Sequence, residues 1–148
     1  MNGKIILLVE DNPDDVELTL RALMKNHILA EVVLVRDGAE ALDYLNGAGT
    51  YTGRDATCQP TLILLDLKLP KLSGLEVLAR VRNDDRTRTV PVVILTSSRE
   101  EQDVIEGYRR GANSYVRKPV DYEQFNETVR QMGVYWLNVN FPPPRLRS

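Results

Sequence analysis

One short segment constrains the fold of this chain more than any other. Four consecutive apolar residues, Leu62 to Leu65, lead directly into Asp66, and Pro60 and Pro70 bound the segment. A short unbroken apolar run between turn residues is typical of a strand buried on both faces, as in the middle of a parallel sheet. Ligands of such sheets bind beyond the carboxyl ends of the strands. Asp66 is therefore either a reactive group at that edge or merely the first residue of a loop.

The bulk composition narrows the class of protein. The chain has 148 residues, enough for one domain with a core, and 43% of them are hydrophobic. A net charge of -2 gives no support for nucleic-acid binding, and no apolar run approaches the roughly 20 residues that span a bilayer. The first residues enter a strand without a signal peptide, and Cys58 is the one cysteine, so we expect a cytoplasmic protein. With His27 as the one histidine, histidine-rich metal sites are excluded.

Strands and helices alternate five times along the chain. The apolar runs predict strands over residues 4–9, 30–35, 62–65, 91–95 and 114–117. Helical periodicity and capping residues predict helices over residues 13 to about 26, 39–45, 74–83, 100–110 and 122 to about 138. Such alternation predicts an α/β protein with a doubly wound parallel sheet. We expect one domain over residues 1–138, a tail over 139–148, and a polar loop over 46–60 that is functional or, as we prefer, a simple insertion.

The spacing of apolar residues also predicts which helix faces meet the core. In the first helix, the predicted inner face consists of Val16, Leu20, Leu23 and Met24. In the last helix, it begins with Tyr122, Phe125 and Val129.

Polar side chains follow every predicted strand at the point where it ends, and those after the second strand, Arg36-Asp37-Gly38, are interpreted as a turn. The others are Glu10 and Asp11 after the first strand, Asp66 after the third, Thr96 and Ser97 after the fourth, and Lys118 after the fifth. Because these ends share one edge of the sheet, we expect three carboxylates, a hydroxyl and an ammonium group in one cleft. Carboxylates this close repel one another unless a cation joins them, and Mg²⁺ is a suitable hard cation. An aspartate in such a site can be the nucleophile that forms an aspartyl-phosphate.

The motifs around these residues carry a family resemblance. They are Leu8-Val9-Glu10-Asp11-Asn12, Leu65-Asp66-Leu67-Lys68-Leu69-Pro70 followed by Ser73-Gly74, Leu95-Thr96-Ser97, and Gly111-Ala112 leading to Tyr115 and Lys118-Pro119. Over residues 4–138 the chain resembles the receiver domain of two-component response regulators. That resemblance implies a flavodoxin-like sheet of strand order 2-1-3-4-5 with five helices.

The resemblance also implies a role for each residue of the site. Asp66 would accept a phosphoryl group from a phosphohistidine of a sensor histidine kinase. Mg²⁺ would be bound by Asp11, Asp66 and the backbone carbonyl of Lys68, with Glu10 reaching it through water. Among the remaining residues, Lys118 and Thr96 would bind phosphoryl oxygens, Ser97 adjoins this switch, and Tyr115 would move inward behind Thr96. A cis Lys118–Pro119 bond is implied as well.

Two positions differ from the best-studied members of the family. Lys68 stands two residues after Asp66, and Ser98 stands two residues after Thr96. Both positions flank the path of the water that hydrolyses the aspartyl-phosphate. The lifetime of the phosphoryl group therefore stays open.

The end of the chain carries more apolar surface than one helix face needs. The surplus residues include Tyr135, Trp136, Leu137 and Phe141, and three prolines follow them. An exposed aromatic patch marks an interface, so we expect a homodimer through this segment, followed by a disordered end. This ending, with the long loop at 46–60, resembles the single-domain regulators that partner bacterial phytochromes.

Three other functions compete with a stand-alone phosphoacceptor. A phosphohydrolase of the haloacid-dehalogenase type would want a second acid two residues after Asp66, where this chain has Lys68. A nucleotide- or flavin-binding module would want a glycine- or hydroxyl-rich loop after the first strand, where Glu10 and Asp11 repel phosphate. A pseudo-receiver that works without phosphorylation remains open. Because the chain ends about ten residues after the last predicted helix, we expect no DNA-binding or enzymatic output domain.

Overall fold

Residues 3–144 are described by the structure, a computed structural model, and they form one parallel five-stranded sheet covered by helices. The strands are β1 (Ile5–Val9), β2 (Glu31–Val35), β3 (Leu62–Leu65), β4 (Val92–Thr96) and β5 (Ser114–Arg117), in the order β2-β1-β3-β4-β5. The helices are α1 (Pro13–Lys25), α2 (Gly38–Asn46), α3 (Gly74–Asn83), α4 (Glu101–Arg109) and α5 (Tyr122–Val134). The predicted α/β class and strand order 2-1-3-4-5 are confirmed. In this described part of the chain, no helix is long and apolar enough to cross a bilayer.

Strand β3 lies at the centre of the sheet between β1 and β4. All four of its residues are buried, because side chains on one face meet α2 and α3 while those on the other meet α1 and α5. Val9 pairs with Leu65, which in turn pairs with Ile94. This register ends the central strands side by side and so brings the residues that follow them to one edge.

Side-chain caps fix where four of the helices begin. Asn12, Asp37, Ser73 and Asp121 each accept a hydrogen bond from a backbone N–H of the first turn. Such a cap satisfies donors that have no partner inside the helix. Helix α1 begins at Pro13 and α3 spans Gly74–Asn83, as predicted.

Two predictions about inner helix faces are wrong. Met24 is 79% exposed and Tyr122 is 42% exposed, so neither belongs to the core. Helix α1 buries Thr19 and Ala22 beside Val16 and Leu23, so the face that it turns to the core is rotated from the predicted one. Thr19 tolerates burial because its hydroxyl donates to the backbone carbonyl of Asp15 at 2.8 Å.

The segment 46–60 is anchored to α2 by Arg54. The guanidinium group donates from Nε to the carbonyl oxygen of Tyr44 at 2.7 Å and lies 4.1 Å from the centre of the Tyr44 ring. It also donates to the carbonyl oxygen of Cys58 at 2.7 Å. Tyr51, in a short 3₁₀ turn, packs edge-on against Tyr44. This segment is therefore an ordered layer on α2.

Helix α5 continues into a π-helical turn over Tyr135–Val139, close to its predicted end. Leu137 is only 3% exposed and packs in the core, while Lys4 Nζ donates to its carbonyl oxygen. The expectation that Leu137 forms a dimer contact is therefore wrong, since its side chain is already covered. Tyr135 and Phe141 are 47% and 94% exposed. The expected disordered end at residues 145–148 lies outside the described residues.

Candidate functional site

Asp66 is the first residue after β3, and the backbone around it is closely held. Its amide donates to the carbonyl oxygen of Val9 at 3.0 Å, and one carboxylate oxygen, Oδ1, accepts from the amide of Leu67 at 2.7 Å. Gly74 passes so close that an added Cβ would lie 2.2 Å from the carbonyl oxygen of Asp66. The carboxylate is thus presented from a rigid turn at the edge of the sheet.

A buried ammonium group joins three carboxylates at this edge. Lys118 Nζ lies 2.6 Å from Glu10 Oε1, 2.8 Å from Asp15 Oδ2 and 3.0 Å from Asp66 Oδ2. The side chains of Glu10 and Lys118 are 4% and 5% exposed, and that of Asp66 is 10% exposed. Because an ammonium group has three N–H donors, these contacts use its whole donor capacity.

The charges at this site shift the pKa values in different directions. Burial opposes ionisation of Asp66, but the charge of Lys118 and the polar influence of the Thr96 hydroxyl together hold the pKa of Asp66 below its usual 3.8. Burial raises the pKa of Glu10 to about 7, against the hydrogen bond from Lys118. Burial would lower the pKa of Lys118, yet its bonds to Asp15 and Glu10 raise it. At neutral pH the site therefore holds an ionised Asp66 beside a charged lysine.

The end of β4 contributes a buried hydroxyl next to this group. Thr96 is 1% exposed, and its oxygen accepts from the amide of Ser98 at 3.4 Å. Ser98 in turn donates its hydroxyl to Asp103 Oδ2 at 2.6 Å, and its carbonyl oxygen accepts from the Tyr115 hydroxyl at 3.2 Å. The loop after β4 is thereby tied both to α4 and to β5.

Three predicted site residues stand apart from the buried group. The side chains of Asp11, Lys68 and Ser97 are exposed. Within residues 3–144, no group of three His, Cys, Asp or Glu side chains is placed so that it could hold a metal ion by itself. Lys118 supplies the positive charge at the centre of the buried carboxylates.

The expected cis bond before Pro119 is wrong. None of the peptide bonds in the described chain is cis. The trans form is the preferred isomer of an X–Pro bond, and with it Lys118 reaches all three carboxylates.

Asp15 is the functional residue that the sequence reasoning missed. An acid in the first turn of a helix is usually explained by the helix dipole alone, yet the carboxylate of Asp15 contacts Lys118. The available signal was its position in the first turn of the helix that begins at the Glu10 end of β1. Acids of such a turn can reach the same sheet edge as the residues that follow the strands.

The fold and this edge define a class of protein. The arrangement pairs an ionised, partly accessible carboxylate with a fixed cation and a hydroxyl at the carboxyl edge of a parallel sheet. A carboxylate so placed can act as a nucleophile, while the ammonium and hydroxyl groups stabilise negative charge that arrives with an electrophile. Residues 6–130 match the response regulator receiver domain family. The chain belongs to this family.

Three relatives cover most of the chain. The probable methanogenesis regulatory protein FilR2 of Methanothrix harundinacea (strain 6Ac) is 40% identical over 94% of this chain and 87% of its own length. Response regulator Rcp1 of Synechocystis sp. (strain ATCC 27184 / PCC 6803 / Kazusa) is 38% identical over 90% of this chain and 89% of its own, and its Mn²⁺-bound structure superposes with a TM-score of 0.88. The bacteriophytochrome response regulator RtBRR is 52% identical, with a TM-score of 0.76 and coverage of 95% of this chain and 84% of its own. The chain is thus similar to phytochrome response regulators.

Proposed function

We propose that this protein is a single-domain response regulator that accepts a phosphoryl group on Asp66 from a sensor histidine kinase. The observation that carries the proposal is the contact of Lys118 with Asp66 at 3.0 Å. The buried Thr96 hydroxyl, which lowers the pKa of the same carboxyl group, supports it. The match of Rcp1 over 89% of its own length supports action as a single domain.

In the proposed transfer, a carboxylate oxygen of Asp66 attacks the phosphorus atom of the kinase phosphohistidine. A P–O bond forms, the P–N bond breaks, and the imidazole keeps the electron pair and takes up a proton from solvent. Lys118 and Thr96 then donate to the phosphoryl oxygens and stabilise their charge. Hydrolysis later adds water to phosphorus, releases inorganic phosphate and restores the carboxylate, so the protein modifies itself and turns over no other substrate.

The donor set suits Mg²⁺ in its chemistry. Glu10 and Asp66 bring carboxylate oxygens to one point, Asp11 adjoins Glu10, and the backbone carbonyl of Lys68 follows Asp66 closely. Hard oxygen ligands of this kind are those that Mg²⁺ prefers. When bound, the ion would neutralise the carboxylates and the charge of the transferring phosphoryl group.

A phytochrome-type histidine kinase is the proposed partner. The 52% identity to the bacteriophytochrome response regulator RtBRR supports this choice over the 40% identity to FilR2. We propose that the exchange takes place in the cytoplasm and that neither nucleic acid nor a membrane is a partner. The net charge of -2 and the one cysteine support these points.

The test of phosphoryl acceptance is a measurement of intact mass. The purified protein is incubated with acetyl phosphate and Mg²⁺, and separately with a phosphorylated phytochrome-type kinase, beside Asp66→Asn. We expect a gain of one phosphoryl group that requires both Mg²⁺ and Asp66. A gain that persists in Asp66→Asn contradicts Asp66 as the acceptor, and no gain from either donor favours the pseudo-receiver.

We further propose a homodimer that forms through the exposed end of the chain. Tyr135, Val139 and Phe141 are 47%, 64% and 94% exposed, and Trp136 packs edge-on against Tyr135 with ring centres 4.9 Å apart. Aromatic surface of this kind is enriched in interfaces. Because Leu137 is buried, it serves the core of each subunit.

Light scattering with a double variant tests the dimer. Tyr135→Ser with Phe141→Ser removes exposed aromatic surface and leaves the buried residues unchanged, so we expect the dimer to become a monomer. The matched control is Met24→Ser with Leu29→Ser, which removes apolar surface of 79% and 75% exposure far from the tail in sequence. A dimer that survives the first double variant contradicts this interface.

A further inference from the structure

We propose that Asp15 is a positioning residue that competes with the incoming phosphoryl group for Lys118. The inference rests on the proposed phosphoacceptor function and adds a residue to it. Before reaction, Lys118 Nζ donates to Asp15, Glu10 and Asp66 at 2.8, 2.6 and 3.0 Å. All three of its N–H donors are engaged. A phosphoryl oxygen on Asp66 can therefore gain a bond from Lys118 only in place of one of these three bonds.

Asp15 is the partner that leaves most readily. Its side chain is 25% exposed, whereas those of Glu10 and Asp66 are 4% and 10% exposed. A released carboxylate must regain hydration, and Asp15 is the one with water at hand. Glu10 is further held because its second oxygen, Oε2, accepts from the amide of Asn12 at 3.1 Å. The bond from Lys118 to Asp66 can pass to the phosphoryl group on the same residue, so Asp15 is the carboxylate whose release frees a second donor.

The backbone at Asp15 stays fixed while its side chain exchanges partners. Its amide donates to Asn12 Oδ1 at 3.2 Å, and its carbonyl oxygen accepts from the Thr19 hydroxyl at 2.8 Å. Release of Lys118 thus requires only rotation of one side chain on the first turn of α1. Asp15 holds the ammonium group in the unmodified protein and gives it up as the P–O bond to Asp66 forms and the donor departs with its electron pair.

This competition sets how easily Asp66 is modified. While Lys118 stays bonded to Asp15, one of its donors is withheld from the phosphoryl oxygens, and the loss of that stabilisation adds to the barrier. Asp15→Asn replaces a charge-assisted hydrogen bond by a neutral one, which is roughly half as strong. For a partly exposed ion pair, we expect the rate of phosphorylation to rise by about two- to fivefold.

The experiment compares Asp15→Asn with Asp14→Asn. Asp14 is the neighbouring acid of the same turn, its side chain is exposed, and its amide is bonded to Asn12 just as that of Asp15 is. Both variants remove one negative charge from the start of α1, so they share any general effect on an anionic donor. Time courses of intact mass with acetyl phosphate and Mg²⁺ give the rate constant and the donor concentration at half-saturation for each.

We expect Asp15→Asn to raise the rate constant while Asp14→Asn stays within twofold of the wild type. In a Lys118→Arg background, which keeps the charge, the effect of Asp15→Asn should change, whereas a merely structural role would leave it the same. Equal rates for Asp15→Asn and Asp14→Asn in a protein that is phosphorylated overturn the role of Asp15 alone. A wild type that gains no phosphoryl group from any donor overturns the proposed function and this inference with it.

Discussion

Lys118 Nζ lies 3.0 Å from Asp66 Oδ2, although the two residues come from β5 and β3, 52 positions apart in the chain. The contact joins the ends of two strands that are separated by β4 in the sheet. It places a fixed cation on the carboxylate that we propose as phosphoacceptor. It also means that the stability of this edge of the sheet depends on the same two side chains that we propose to act in phosphoryl transfer.

Replacing Lys118 should destabilise the protein strongly. Lys118→Met leaves the carboxylates of Glu10, Asp15 and Asp66 without their common cation, and breaking a buried ion pair from one side costs about 3–5 kcal/mol. Urea unfolding at pH 7.5 in Mg²⁺-free buffer measures the loss. The control is Lys71→Met, since Lys71 Nζ lies 3.6 Å from Asp37 and its side chain is 70% exposed. If Lys118→Met loses no more unfolding free energy than Lys71→Met, the contacts of Lys118 with the three carboxylates do not stabilise the protein as expected.

Gly74→Ala should disturb Asp66 through the backbone. The added Cβ would lie 2.2 Å from the Asp66 carbonyl oxygen and 2.7 Å from the Leu67 Cα, neither of which can move freely. Overpacking of this kind costs about 1–3 kcal/mol, and we expect phosphorylation to slow as well. Gly133→Ala is the control, because its Cβ would meet only the Ile28 side chain, at 2.9 Å. Equal unfolding midpoints for the two variants would argue against the close approach.

Arg54→Met should loosen the segment 46–60 without affecting the site. It removes the hydrogen bonds to the carbonyl oxygens of Tyr44 and Cys58, leaving them half-buried, at a cost of about 1–3 kcal/mol. Limited proteolysis should then cut this segment faster, while acetyl phosphate still modifies Asp66 at the wild-type rate. Arg80→Met is the control, since its Nε lies 4.0 Å from Glu76 on an exposed face. A slower phosphorylation of Arg54→Met would instead favour a functional loop.

The pair of Asp84 and Arg86 should make a small, pH-dependent contribution to stability. The side-chain hydrogen bond from Arg86 is the main cause that lowers the pKa of Asp84 below its usual 3.8. A carboxyl group whose pKa is lowered by folding stabilises the protein above the unfolded pKa, and this contribution is lost as the pH falls through the folded value. Because the two side chains are 31% and 42% exposed, solvent screening limits the effect to about 0.2–1 kcal/mol.

Unfolding of Asp84→Asn between pH 2.5 and 7 tests this contribution. We expect the variant to be less stable than the wild type at pH 6, with a difference that shrinks below about pH 3.8. Asp85→Asn serves as the reference, because the Asp85 side chain is 92% exposed. A difference for Asp84→Asn that does not change with pH would assign the effect to packing.

Much of the site followed from the pattern of strand ends. An apolar run that stops at an acid identifies both a buried strand and the residue after it, so Glu10, Asp66, Thr96 and Lys118 could be placed at one edge before their contacts were known. The same pattern does not distinguish Ser97, which is exposed, from Thr96, which is buried at the site. The alternation of side chains along a strand predicts which face each one lies on. Beyond the end of the strand, the orientation of a side chain depends on the conformation of the turn.

The helix faces and the tail show that local sequence patterns do not predict the burial of every apolar side chain. Met24 and Leu137 are both apolar, yet Met24 is 79% exposed and Leu137 is 3% exposed. The spacing of apolar residues predicts which face of a helix is buried, but the packing of the neighbouring helix determines which part of that face is covered. In the π-helical turn after α5, each backbone hydrogen bond spans five residues instead of four. The side chains of this turn therefore do not continue the α-helical spacing.

The sequence by itself determined the order of strands and helices, the buried centre at β3 and the chemical types that meet at its edge. These follow from local apolar runs, caps and turn residues, which act over a few positions. Only the tertiary structure decided that Asp15 shares Lys118 with Glu10 and Asp66, and that the ammonium group uses all three donors. The reason is that an ion pair depends on how separate helices and strands pack together. Lys118 and Asp15 are 103 positions apart, and local sequence patterns do not predict the distance between such residues.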